Sequence, residues 1–95
     1  MPAYLVFIKE LEHDAATMAD YSAKAGPSLA GHAGTPLAYY GAIETLEGPE
    51  AKGAVVVQFP TMDEARAWYQ SDAYQDARKL RFAGADYRVL LIDGL

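Results

Sequence analysis

Cysteine is absent from the 95 residues, which removes disulfides, thiolate nucleophiles and cysteine-ligated metals together and suits a reducing, cytoplasmic setting. Histidine occurs only twice, at His13 and His32. With carboxylates scattered along the chain, two histidines do not assemble a zinc or iron site, and no metal is expected. Basic residues are the minority, 8 against 13 acidic, giving a formal charge of −5 and a pI near 4.8. That balance repels phosphate backbones, so nucleic acid is not an expected partner. No apolar run approaches the roughly 20 residues of a membrane span, and MPAYLVFIKELEHD lacks the basic leader and cleavage pattern of a signal peptide. No glycine-rich loop follows a strand, and no serine-nucleophile or dinucleotide-binding motif occurs. No cofactor is expected.

What remains is 52% hydrophobic and short, enough for a single domain over 1–95. A chain of this size buries only about two-thirds of its unfolded surface, which makes association a natural source of stability. The most specific stretch is Ala54 to Arg81. Within it a buried-type strand, Ala54–Phe59, stops at Pro60. Thr61 and Glu64 then form a capping box that satisfies two orphan amides, and Met62, Ala65, Trp68 and Tyr69 recur at helical spacing. Ser71-Asp72 offers a second cap. After it, Ala73, Ala77 and Leu80 form one stripe, with Tyr74, Arg78 and Arg81 on the stripe beside it, and Gly84 ends the helix.

Upstream, Tyr4–Ile8 is a continuous apolar run that reads as a strand buried on both faces. Asp14 caps a helix whose inner positions are Ala15, Met18, Tyr21, Ala25 and Leu29, interrupted at Gly26-Pro27. Leu37–Leu46 reads as a second strand with a bulge or close approach at Gly41, Glu47–Gly53 as an exposed connection, and Tyr87–Ile92 as the last strand. The order β-α-β-β-α-β predicts an α+β, ferredoxin-like domain. Its four-stranded antiparallel sheet carries both helices on one face, and the first and third strands are central.

Two helices cover one face of such a sheet, yet the strands are apolar on both. Tyr4, Val6 and Ile8 oppose Leu5 and Phe7, and Val89 and Leu91 oppose Leu90 and Ile92. An antiparallel sheet with one wet face alternates apolar with polar. A bare apolar face exceeds what a soluble monomer ordinarily shows, and a two-fold copy of the same sheet is the economical cover. The expectation is a homodimer joined through its sheets.

The segments LEG (Leu46–Gly48), VVVQFPT (Val55–Thr61), ARAWYQSDAYQ (Ala65–Gln75), Arg81 and IDG (Ile92–Gly94) resemble the family called domain of unknown function thirteen-thirty, in order and over nearly the whole chain. The resemblance implies a ferredoxin-like chain within the dimeric α+β barrel superfamily and leaves activity open. Gln58 stands where similar sequences commonly carry an acid, so a carboxylate role there does not transfer.

Candidate site residues follow from side-chain chemistry. Trp68, Tyr69 and Tyr74 either line a small-molecule pocket or fill the core, since both roles suit large rings with polar tips. Arg81 either clamps a carboxylate or enolate in a cleft or pairs with a surface acid. His32, in a glycine-flanked loop, is either a general base at a cleft mouth or an exposed loop residue. Tyr39 and Tyr40 are expected on opposite faces of the second strand, where either orients a ligand carbonyl or simply suits a strand. Tyr21 either approaches the cleft from the first helix or, as its apolar spacing favours, belongs to the core. These residues predict a pocket between sheet and helices, near the dimer edge, lined by Tyr40, His32, Trp68, Tyr74 and Arg81. The corresponding functions are a homodimeric module binding a small polar or aromatic metabolite, a cofactor-free enzyme, or a structural dimer. The enzyme would be a monooxygenase or isomerase in which His32 or a tyrosine moves a proton and Arg81 holds an anionic intermediate. The structural dimer would bind nothing.

Overall fold

The computed structural model describes residues 1–95. Strand β1 (Ala3–Glu12) leads into helix α1 (Ala15–Ala25), followed by a single 3₁₀ turn at Pro27–Leu29 and the short strand β2 (Thr35–Tyr39). Strand β3 (Gly53–Phe59), helices α2 (Met62–Tyr69) and α3 (Asp72–Gly84) and strand β4 (Ala85–Asp93) complete the chain. The four strands order as β2-β3-β1-β4, every neighbour antiparallel, with β1 and β3 central. This is the ferredoxin-like α+β arrangement, its second helical passage divided in two at Gln70 and Ser71. No helix is long and apolar enough to cross a membrane.

Local chemistry sets the boundaries. The Asp14 carboxylate accepts from the amides of Ala16 and Thr17 at 3.0 and 3.3 Å, and Ser71 Oγ accepts from the Tyr74 amide at 3.3 Å. Thr61 Oγ1 takes the Glu64 amide at 3.1 Å, but the capping box is only half made. The Glu64 carboxylate meets the Thr61 hydroxyl, 3.5 Å away, rather than the Thr61 amide.

The second strand is shorter than its apolar pattern predicts. Pairing with β3 slips between Pro36 and Ala38, placing the bulge at Leu37 rather than Gly41, and ends at Tyr39 opposite Val55. Tyr40 then adopts φ 50°, a left-handed conformation that a tyrosine enters only when its surroundings hold it there. Its amide still reaches the Ala54 carbonyl at 2.9 Å, after which Gly41–Glu50 leaves the sheet as an exposed loop.

Register assigns the two sheet faces. Leu5 lies between Val57 and Leu91, and Phe7 between Val55 and Val89; these side chains meet the helices. The other face carries Val6 between Val56 and Leu90, and Tyr4 between Gln58 and Ile92, with no helix over it. Leu90 and Ile92 there remain 39% and 47% exposed.

Helix α3 is rotated from the sequence expectation: Tyr74, Ala77, Arg81 and Gly84 face inward, while Ala73 is exposed and Leu80 half-buried. Packing of α1 explains the choice, because a side chain at Gly84 would stand 3.0 Å from Met18 Sδ. Replacing Thr61 with alanine removes the one amide acceptor at the start of α2. It should lower the unfolding free energy by about 1 kcal/mol in urea titrations, with an unchanged slope.

Candidate functional site

An apolar cavity of about 90 Å³ lies between the sheet and the C-terminal end of α1. Its floor is Phe7, Val55 and Val57. Trp68 and Tyr21 close one wall, Ala25 and Leu29 another, and Pro36, Tyr39 and Tyr40 the side of the edge strand. Exposed Gly26, Pro36 and Tyr39 mark the mouth. The volume is below the ~150 Å³ of an apolar cavity that admits benzene, so a single ring fits only with part of it in the mouth.

Tyr39 and Tyr40 do not face opposite sides of the sheet. The left-handed backbone at Tyr40 turns its ring back over the helix-facing surface, 4.9 Å from the Tyr39 ring and edge-on to it. Gly53 makes this possible, since a Cβ there would meet Tyr40 Cδ1 at 3.0 Å. The Tyr40 hydroxyl then reaches across β1 to the Tyr87 hydroxyl, 2.6 Å away, and Lys9 Nζ sits 5.3 Å from its ring centre.

A second hydroxyl pair, Tyr21 with Tyr74 at 2.9 Å, bridges α1 and α3. Trp68 is a core residue and a cavity wall at once: 3% exposed, it stacks on Phe59 at 5.7 Å and lies 4.3 Å from the Tyr74 ring. Its indole N–H donates to Ser28 Oγ at 3.0 Å, tying α2 to the 3₁₀ turn.

Arg81 is not a surface ion-pair partner. It is 2% exposed, takes part in no salt bridge, and its Nε has no hydrogen-bond acceptor. The guanidinium instead lies 5.2 Å from the Tyr87 ring, 5.8 Å from Phe7 and 5.1 Å from Phe82. Burial pushes the Tyr21, Tyr40, Tyr74 and Tyr87 hydroxyls up from the ordinary tyrosine value, so all four are neutral at physiological pH; the Arg81 charge pulls against that shift at Tyr21, Tyr74 and Tyr87.

Of the residues expected in the pocket, Tyr40 and Trp68 line the cavity, and Tyr74 and Arg81 stand directly behind its wall. His32 is not brought to it. The imidazole is half-buried in the turn beyond Leu29 and makes no side-chain hydrogen bond, while the backbone amide caps the Leu29 carbonyl at 2.9 Å. His13 pairs with Asp86 at 3.1 Å on the surface. Sequence reasoning missed Tyr87 and Lys9, which share the helix-facing side through their pairing; strand parity alone would have placed them there. No three His, Asp or Glu side chains come together as a metal-ligating group.

Residues 2–95 match the family model described as Domain of unknown function (DUF1330). The chain belongs to that family. No curated protein matches it. Among solved structures it is similar to a protein of unknown function from Rhodopseudomonas palustris, at 19% identity and TM-score 0.80, covering 99% of this chain and 82% of the other. A protein from Bacteroides fragilis described as dimeric, ferredoxin-like and of unknown function aligns at 10% identity and TM-score 0.67, over 98% and 96% of the two chains. SnoaB from Streptomyces nogalater, a cofactor-independent oxygenase, aligns at 10% identity and TM-score 0.64, over 99% and 93%. At these identities the likeness establishes the fold.

The Tyr21–Tyr74 pair offers a direct test of the buried polar layer. Removing one hydroxyl by Tyr74→Phe strands its partner and should cost about 1–3 kcal/mol, whereas the Tyr21→Phe/Tyr74→Phe double variant should return close to wild-type stability. Denaturant unfolding of the four proteins gives the coupling energy. Additive losses would show that the hydroxyls act independently.

Proposed function

We propose that this chain is a cytoplasmic homodimeric module that binds a small polar or aromatic metabolite in the cavity between α1, the edge strand and the sheet. The carrying observation is the cavity itself. Its walls are apolar, its mouth opens beside exposed Tyr39, and Tyr21 and Tyr40 in its lining carry hydroxyls that pair with Tyr74 and Tyr87. A chain meant only to pack would close this volume, which weighs against a structural dimer without ligand. Small-molecule sites have this make-up, apolar walls with a few convergent polar groups.

A second reading, a cofactor-free enzyme of monooxygenase or isomerase type, draws support from the fold it shares with SnoaB. In that reading Tyr21 or Tyr40 moves the proton, because His32 stands away from the cavity, and Arg81 holds the anionic intermediate. The pairing of chains is supported by the uncovered apolar face around Val6, Val56, Leu90 and Ile92 and by the dimeric description of the Bacteroides fragilis protein.

Trp68 is the only tryptophan and lines the cavity, so its fluorescence reports occupancy. Titration with single-ring aromatics should change that emission by a saturable amount, and Ala25→Phe, which fills the mouth-side wall, should abolish the response. A flat response to every ring compound sinks the ligand-binding reading. Separately, the wild-type protein should sediment as a pair of 10.3 kDa chains and Leu90→Glu as a single one. A wild-type protein that stays single at micromolar concentration disposes of the dimer without touching the cavity, which opens on the opposite side of the sheet.

A further inference from the structure

The layer behind the cavity holds a buried cation with no anion beside it. In each hydroxyl pair, Tyr40 with Tyr87 and Tyr21 with Tyr74, one O–H donates and the other accepts, so the accepting hydroxyl keeps its own hydrogen free to donate. Arg81 Nε is buried without an acceptor. Charge is one-sided. Arg81 and Lys9 approach the Tyr40–Tyr87 pair from two directions, at 5.2 Å from the Tyr87 ring and 5.3 Å from the Tyr40 ring. The one acid beside them, Glu12, is held by Lys9 at 3.0 Å. A chain with a formal charge of −5 thus keeps a cationic centre inside, with no carboxylate bonded to Arg81. Buried charges are ordinarily paired, so an unpaired guanidinium of this kind marks a missing anion.

We propose that the missing anion belongs to the ligand: the cavity takes a small planar molecule carrying an oxyanion, whose oxygen is received by the Tyr21 and Tyr40 hydroxyls while Arg81, behind them, supplies the balancing charge. This rests on the reading of the cavity as a ligand site and names the chemical class it selects. Tyr21 and Tyr40 line the cavity and contact the oxygen. Arg81 is a positioning residue that acts through the hydroxyls of Tyr74 and Tyr87. The tyrosines stay neutral because burial disfavours their ionised forms, so each donates its proton without transferring it. A phenol or enol entering the site gives its own O–H proton to the solvent buffer and binds as the anion.

The test uses 4-nitrophenol, whose ionised form alone is yellow, beside nitrobenzene as its uncharged analogue and benzoate as a carboxylate. Trp68 emission measures occupancy, and visible absorbance measures the ionisation of the bound probe. Bound 4-nitrophenol should ionise at a pH at least one unit below the free compound, the equivalent of about tenfold tighter binding of the anion. Arg81→Met should remove that shift and leave nitrobenzene affinity unchanged, Arg81→Lys should restore part of it, and surface Lys79→Met should change nothing. Benzoate binding that depends on Arg81, without 4-nitrophenol binding, would support a carboxylate as the oxyanion. Nitrobenzene binding as tightly as the anions, or a pH of ionisation unshifted or raised, overturns the proposal while the cavity reading survives. If no probe alters Trp68 emission, the cavity reading falls and takes this inference with it.

Discussion

Large rings with polar tips share a single thin layer, and their hydroxyls find each other rather than the backbone. Phe7, Phe59, Trp68 and Tyr74 pack edge-on, tilted or stacked within 4.3–6.2 Å of a neighbour, filling the space between sheet and helices. Strand and helix ladders already use the backbone groups around them, so Tyr21, Tyr40, Tyr74 and Tyr87 are left to pair among themselves. In each pair the accepting hydroxyl keeps its own hydrogen free to donate elsewhere. The cluster of hydroxyls beside Arg81 is therefore a consequence of how this core is packed. The cavity sits where the packing stops, at the end of α1 and beside the 3₁₀ turn that begins at Pro27.

The same layer explains the asymmetry of the sheet. The helix-facing sides of β1 and β3 alternate with positions that are half-buried rather than exposed, so neither face is polar. Helices α1, α2 and α3 lie on one side only, and the cavity opens on that side. The proposed association through the bare face and the proposed ligand entry on the covered face thus place no steric demand on each other. Alternate side chains of β1 and β3 serve the two faces.

Much of this was legible in the order of residues. The two central strands, the caps at Asp14, Thr61 and Ser71 and the element order follow from local rules that tertiary packing leaves in force. The misreadings have a common physical origin. Tyr40 was assigned by strand alternation to one face, but one left-handed residue cancels alternation, and nothing in Ala38-Tyr39-Tyr40-Gly41 announces it except the glycine that follows. The glycine that permits its final position, Gly53, lies across the sheet and is invisible to local pattern. For Arg81 the sequence leaves a cleft clamp and a surface ion pair both open, because charge predicts exposure. Its inward turn is set by α1 packing on Gly84 and by aromatic faces drawn from β1 and β4. His32 attracted notice by residue type alone, and a loop places a side chain only through contacts that the sequence does not reveal.

Arg81 is held inside the protein at an energetic cost. Withdrawing an unpaired guanidinium from water costs on the order of several kcal/mol, and a cation over an aromatic ring returns about 0.5–2 kcal/mol. The three rings around it offset much of that deficit but supply no acceptor for Nε. A site left in deficit in the free protein gains more from an anion than a satisfied site would, because the ligand relieves a penalty already present. Binding and stability are then linked: an anion that binds only the folded chain raises its stability by about 2.7 kcal/mol at a hundredfold excess over Kd, and an uncharged analogue that leaves the deficit in place binds more weakly for the same contact area. On this view the interior of the protein is selective before any ligand touches it, and the selectivity resides in what the fold leaves unmatched.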